Sequence, residues 1–315
     1  MRITRGTKAF LDTSVEADFE SGYSQVQQWW DRLFDQKQSN GRAENYVSNE
    51  QTIALEEWAY GAERELGNTS HIVFQKENKR YQAALRIEVD HMKDDLYGLY
   101  QDDIVMLGRS AGRWKNKLAK TFLQGATSIL GRDGANFFST AHPTRAGDSS
   151  GSNQSNLFTS TALTFDNFNT VCAGMRGLLA PNGEPYDEFG TDIVLVVPPQ
   201  LAIVAKQIVY GDAVIRSSTQ SGSGSLFGAV SNPLVNEGMS VLVVNDLANE
   251  SGTWYVADVG GAKPCKMQVR EEPTLRSHTP ETDSTLDLLD NFLYTMKGRG
   301  LAVGTRWQKI ARAAA

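Results

Sequence analysis

Asp133-Gly134-Ala135-Asn136-Phe137-Phe138-Ser139-Thr140-Ala141-His142-Pro143 is the stretch on which the fold of this chain turns. Taken alone it is a turn, a short apolar strand and a proline stop. Gly131 and Gly134 can end a preceding helix, because glycine accepts the left-handed conformation found past helix C-termini. Pro143 lacks the N–H that a helix or a strand ladder needs, so it opens a loop. The segment therefore reads as a joint, and its meaning depends on what lies on either side.

Immediately upstream, Tyr100, Ile104, Leu107, Ala111, Trp114, Leu118 and Phe122 recur at intervals of three and four. That period predicts one amphipathic helix over residues 94–125. A helix of about 25 residues spans roughly 38 Å. Asp102 and Asp103 lie early, and Arg113, Lys115, Lys117 and Lys120 late, an order that suits the helix dipole. Gly108 and Gly112 either cost helix stability or mark where another backbone comes close.

Farther upstream, Tyr81, Ala83, Leu85, Ile87 and Val89 alternate with polar residues. This predicts a strand with one polar face. Ile72–Phe74 is its expected hairpin partner, with Glu77-Asn78-Lys79 as the turn and Lys76 and Lys79 at the tip. Residues 1–44 read as an arm. Phe19, Tyr23, Val26, Trp30 and Phe34 form one apolar stripe and predict a helix over Ser14–Phe34.

Downstream of the joint, residues 146–156 are Ser-, Gly- and Asn-rich and read as a flexible loop. Thr164 is a good helix cap, and Phe168, Val171, Met175 and Leu178 form the stripe behind it, ended by Pro181-Asn182-Gly183. Ile193–Pro199 reads as a buried strand and Gln200–Val209 as a short helix. Ser217–Ser225 reads as a second loop, Ser240–Val244 and Thr253–Val256 as strands, and Leu286–Trp307 as strands around Lys297-Gly298-Arg299-Gly300. None of the 9 prolines lies before Pro143, so long elements precede the joint and shorter pieces follow it. The class is α+β with segregated pieces.

Composition excludes several functions. No apolar run approaches the ~20 residues of a membrane span, and the first twenty residues lack the apolar core of a secretory signal. The 2 cysteines, Cys172 and Cys265, are expected to be free thiols. A net charge of −6 argues against a dedicated nucleic-acid reader. Arg2, Arg5 and Lys8, with Lys297, Arg299, Arg306, Lys309 and Arg312, are either solvated tails or local patches that touch DNA.

No phosphate-binding loop, HExxH, CxxC or GxSxG motif occurs. His71, His91, His142 and His278 lack ligand spacing and read as structural or exposed. Asp94-Asp95 and Asp102-Asp103 read as solvated helix starts, and Glu271-Glu272 beside Pro273 as a polar turn. The expectation is a non-enzyme without catalytic, cofactor-binding or metal residues.

The segment Asp133–Pro143 resembles the "DG…FS/D-T-x-HP" segment of Mu-like phage major head proteins. The family's order continues around it. Asp94-Asp95 and Gly98–Tyr100 precede the long helix, Ser152–Asn156 and Leu163-Thr164 follow, then a strand with paired prolines (Ile193–Pro199) and Trp254-Tyr255 after Asn249–Ser251. The resemblance covers most of residues 45–315.

It implies the Hong Kong 97-type capsid fold, which sets these expectations: an N-terminal arm at 1–44, an extended-loop hairpin at 45–92 and a peripheral domain with its spine helix at 93–160. An axial domain at 161–258 and a return to the peripheral domain at 259–315 would follow. The implied function is the major capsid protein of a tailed bacteriophage, forming hexamers and pentamers of an icosahedral head around double-stranded DNA. An encapsulin-like nanocompartment shell and an enzyme with a hidden site are the alternatives. Implied partners are other copies of the chain, a portal, a separate scaffold protein and a decoration protein. The implied location is the virion shell, assembled in the host bacterial cytoplasm. Trp29, Trp30, Tyr46, Trp58 and Tyr60 are candidates for contacts with neighbouring subunits or for packing within one subunit.

Overall fold

Two aromatic side chains of the joint, Phe137 and Phe138, hold the molecule's two main sheets to a common core. The computed structural model describes residues 5–49, 71–94, 99–144, 153–180, 184–186, 189–190, 192–218, 226–236, 238–279, 286 and 290–315. In chain order it contains α1 (Arg5–Ser24), β1 (Phe34–Gln38), β2 (Ala43–Asn49), β3 (His71–Glu77), β4 (Lys79–Glu88), α2 (Val89–Lys93), α3 (Leu99–Gly112) and α4 (Trp114–Gly125). Past the joint come β5 (Leu157–Phe158), α5 (Phe165–Arg176), β6 (Ile193–Val197), α6 (Ala202–Tyr210), β7 (Ala213–Ser218), β8 (Leu226–Ser231) and β9 (Ser240–Val243). The last strands are β10 (Thr253–Asp258), β11 (Cys265–His278), β12 (Asn291–Gly304) and β13 (Ile310–Ala314).

One sheet has the order β1-β11-β12-β4 and the other β5-β13-β10-β6-β9, while β2–β3 and β7–β8 are separate two-stranded ribbons. An edge-on aromatic series connects the layers. Phe34 on β1 meets Phe122 on α4 at 6.1 Å, Phe122 meets Phe137 at 5.2 Å, and Phe137 meets Phe138 at 5.2 Å. Phe138 then meets Tyr255 on β10 at 5.8 Å. Each such pair adds ~0.5–1.5 kcal/mol beyond its area burial.

The local readings downstream of the joint agree with the structure. The Thr164 side chain caps α5 by accepting the Asn167 N–H at 3.2 Å. Phe168, Val171, Met175 and Leu178 are all buried. Every residue of β6 is buried, as a strand covered on both faces requires. Cys172 and Cys265 are buried thiols that form no disulfide.

Gly108 and Gly112 mark a close backbone approach. A Cβ at Gly108 would lie 2.1 Å from the Phe19 carbonyl oxygen, and one at Gly112 would lie 2.8 Å from that of Tyr23. Gly22 of α1 reciprocates, its Cβ position being 2.1 Å from the Val105 carbonyl oxygen. Only glycine lets α1 and α3 touch at this distance.

Other expectations are corrected. The arm helix spans Arg5–Ser24, so Trp30 and Phe34 of the predicted stripe lie in a short 3-10 turn and in β1. β3 does not pair with β4: it pairs antiparallel with β2, whereas β4 pairs with β12. Lys76 and Lys79 therefore sit at the root of a ribbon, not at its tip. The spine helix is interrupted at Arg113, although the Arg113 N–H still reaches the Arg109 carbonyl and the Lys117 N–H the Arg113 carbonyl.

The expected polar turn at Glu271-Glu272 lies inside β11, at register shifts against β12 beside Pro273. A proline within a ladder forces such an irregularity. Between Asp290 and Trp307 the chain forms one long strand, β12, instead of several. Gly298 and Gly300 leave room there for the Trp114 indole, whose atoms would stand 3.3 and 3.0 Å from a Cβ at those positions. α5 ends at a Gly177 cap, and Pro181-Asn182-Gly183 lie outside the described residues.

Candidate functional site

Two built features stand out: the joint around His142 and the root of the β2–β3 ribbon. His142, read from the sequence as structural or exposed, is structural. Its ring is fully buried, with Nδ1 2.6 Å from Asp133 Oδ2 and Nε2 3.0 Å from Asn156 Oδ1. The Asn156 amide is oriented by its own partners. Its Nδ2 donates to the carbonyls of Phe137, Trp307 and Ile310, and its Oδ1 accepts the Ser139 N–H. Both nitrogens of His142 thus lie within hydrogen-bond reach of side-chain oxygens.

The ring also stacks on Trp307, and His142 and Gln154 exchange backbone hydrogen bonds of 2.8 Å. The expected flexible loop therefore ends in an ordered, buried Asn156. This network has His142 and Asn156, both fully buried, at its centre. Its role is mechanical, fastening the joint to the segment before β13.

The ribbon root is a second polar network. Asn78, the one residue between β3 and β4, donates through Nδ2 to Ser39 Oγ at 2.8 Å and to the Gly41 carbonyl at 3.0 Å. Its Oδ1 accepts from Gln268 Nε2 at 2.8 Å, and Gln268 Oε1 accepts the Tyr46 hydroxyl at 2.9 Å. Glu44 accepts the Asn40 N–H and the Ser39 hydroxyl, which holds its carboxyl down at about 2. Burial, followed by the nearby Glu44 charge, pushes the Tyr46 hydroxyl up.

From this root the ribbon carries the cross-strand pair Val47 and Val73, 63% and 61% exposed. An apolar cross-strand pair left to water is an unfilled half of a contact. Leu99, Met106 and Ile203 are further large apolar residues on the surface.

Among the proposed contact residues, Trp29, Trp30 and Tyr46 pack within the subunit. Trp29 Nε1 donates to Asp246 Oδ2 at 2.8 Å, and the Lys115 ammonium lies over the Trp30 ring. Trp58 and Tyr60 lie outside the described residues. The cations near the finish are not a solvated tail. Lys309 is buried, donates to the Gly260 and Ala262 carbonyls, and faces Asp258 at 3.8 Å. Lys297 and Arg299 pair with Glu271, and Arg312 sits in β13 opposite Tyr255. Among the described residues no His, Cys, Asp or Glu side chains gather in a group able to hold a metal ion, and no helix is long and apolar enough to cross a membrane.

The architecture matches solved phage capsids. A chain of the bacteriophage JBD30 procapsid aligns with a TM-score of 0.55 and 18% identity, covering 99% of this chain and 76% of that one. A chain of the Microbacterium phage Oxtober96 structure aligns at 0.56 and 11% identity, covering 100% and 99%. The capsid of a native GTA particle aligns at 0.57 and 10% identity, covering 92% and 91%. The fold is thus that of the Hong Kong 97-type capsid subunits.

Residues 9–162, which include the joint, match the family model described as Mu-like prophage major head subunit gpT. No curated protein sequence matches the chain. The likeness to the Mu-like major head subunits is thus carried by residues 9–162, and the capsid fold by the whole chain.

Proposed function

We propose that the chain is the structural major capsid protein of a tailed-phage head, self-assembling into a closed shell. The observation that carries this is the family match over residues 9–162, which takes in α1, the ribbon, α3, α4 and the joint. It favours a phage head over a cellular nanocompartment shell, and a structural role over an enzymatic one.

The finer reading is that subunits form hexamers and pentamers around double-stranded DNA, assembled in the host bacterial cytoplasm with a portal, a separate scaffold protein and a decoration protein. The arm would be residues 1–44, the extended loop 45–92, the peripheral domain 93–160 and 259–315, and the axial domain 161–258. The ribbon supports the assembly part of this reading. It is anchored at Asn78 and Gln268 and leaves Val47 and Val73 for a neighbour to cover. Repeated symmetric contacts of this kind close a shell.

Negative-stain microscopy and sedimentation of the expressed chain test the proposal. Closed particles or capsomers are expected. A monodisperse monomer or dimer under assembly conditions, with turnover of a small substrate, would sink it.

A further inference from the structure

We infer that the outer face of the α3–α4 helix, from Arg109 to Lys120, is the surface that meets the phosphates of the packaged double-stranded DNA; the inference rests on the capsid reading above. Arg109, Arg113, Lys117 and Lys120 follow one another at intervals of four, four and three, so they share one helix face. The backbone hydrogen bonds across Arg113 keep that face continuous. The line extends about 16 Å. Arg109, Arg113 and Lys117 are exposed and Lys120 partly so.

None of Arg113, Lys117 and Lys120 has an ion-pair partner among the described residues, and Arg109 is held only by the uncharged Gln25 Oε1. No Asp or Glu stands three or four residues from any of the four. Like charges one turn apart are unfavourable in an isolated helix. The helix dipole favours Arg109 in the last turn of α3 but does not account for Lys117 and Lys120, because the last turn of α4 holds no basic residue. A chain of net charge −6 therefore keeps an uncompensated cationic line along α3 and α4.

The neighbours on this face identify the partner. Ser110 and Thr121 are the other exposed side chains between Arg109 and Thr121, and no exposed apolar residue lies among them. A protein interface needs an apolar or aromatic centre, and the nearest exposed apolar side chain on this helix, Met106, lies one turn before the line begins. Arginine, lysine, serine and threonine without a pocket are the residues that contact phosphate without reading bases. A duplex carries one charge per ~1.7 Å of axis, so a straight row of cations meets phosphate along its whole length.

The test compares the full chain, held as unassembled capsomers, with the triple variant R113Q/K117Q/K120Q on a mixed-sequence DNA duplex across a salt series. Each phosphate contact contributes about 0.9 to the slope of log affinity against log salt, so the variant's slope is expected to fall by about 2.7 per engaged stripe. K206Q, which removes an exposed cation on α6, is expected to leave the slope unchanged. The yield of filled heads should fall while empty shells still form.

An unchanged slope with normal filling overturns the inference. So does an unchanged slope with lost assembly, which would assign the stripe to an acidic face of another copy. Shells are scored separately by negative stain. A wild-type chain that forms none overturns the capsid reading instead.

Discussion

The imidazole of His142 lies flat on the indole of Trp307, with ring centroids 3.8 Å apart and planes 5° apart. The joint and the segment before β13 are thereby pressed together around Asp133 and Asn156.

Removing the ring should be costly. His142→Ala leaves the Asp133 carboxylate without its ring partner in a closed interior, which costs about 3 kcal/mol or more. The unfolding midpoint of the unassembled subunit reads this directly. The double variant H142A/D133A should lose less than the two single losses combined, because the second change removes the orphaned charge. Strictly additive losses would show that the pair does not act as a unit.

The α1–α3 crossing should be intolerant at a single atom. Gly108→Ala forces the two backbones apart and should destabilise by about 1–3 kcal/mol, freeing α1 to limited proteolysis. Gly125→Ala is the control, since its Cβ would meet only Ile129 side-chain carbons, at 3.4 Å and beyond. Equal protease resistance in both variants would contradict the packing described.

The ribbon valines should matter to the shell and not to the subunit. V47T/V73T alters only exposed side chains, so the unfolding midpoint should move by about 0.5 kcal/mol or less. Shell yield, counted by electron microscopy, should fall severalfold. Normal shells from this variant would remove the ribbon face from the assembly contacts.

Acid should loosen the ribbon root. The Glu44 carboxyl is held at about 2, below its ordinary 4.5, by hydrogen bonds from Asn40 and Ser39 and by Lys37. A depressed carboxylate stabilises fully above its unfolded value and loses that contribution as pH falls towards its folded one. Hydrogen exchange of β2 and β3 amides should therefore accelerate between pH 4.5 and about 2. E44Q should exchange faster at neutral pH and show little further change over that interval.

Much of the fold was legible where the signal was local. The Thr164 cap, the α5 stripe and the apolar run of β6 depend on neighbours within one element, and the structure bears them out. Pairing was illegible where one residue changes sheets. Asn78 separates two good strands that read as a hairpin, yet its side chain binds Ser39 and Gly41 and sends β3 and β4 to different partners. The partners of His142 were illegible because Asp133 and Asn156 are brought to it by turns with no periodic signal. The strand β13, Ile-Ala-Arg-Ala-Ala, was hidden by its small side chains and its arginine. The Asp133–Pro143 segment pointed to the family whose model matches residues 9–162, but its aromatic series and buried ring needed coordinates.

The position of β13 has a consequence for the timing of production in the cell. It lies between β5 and β10 in the five-stranded sheet. A ribosome translating this message releases β5, β6, β9 and β10 long before the residue run that must be inserted between two of them. Until Ile310–Ala314 has emerged, that sheet has a gap and the His142 ring has no Trp307 to rest on. A nascent chain on a polysome thus cannot complete its five-stranded sheet until Ile310–Ala314 has been made.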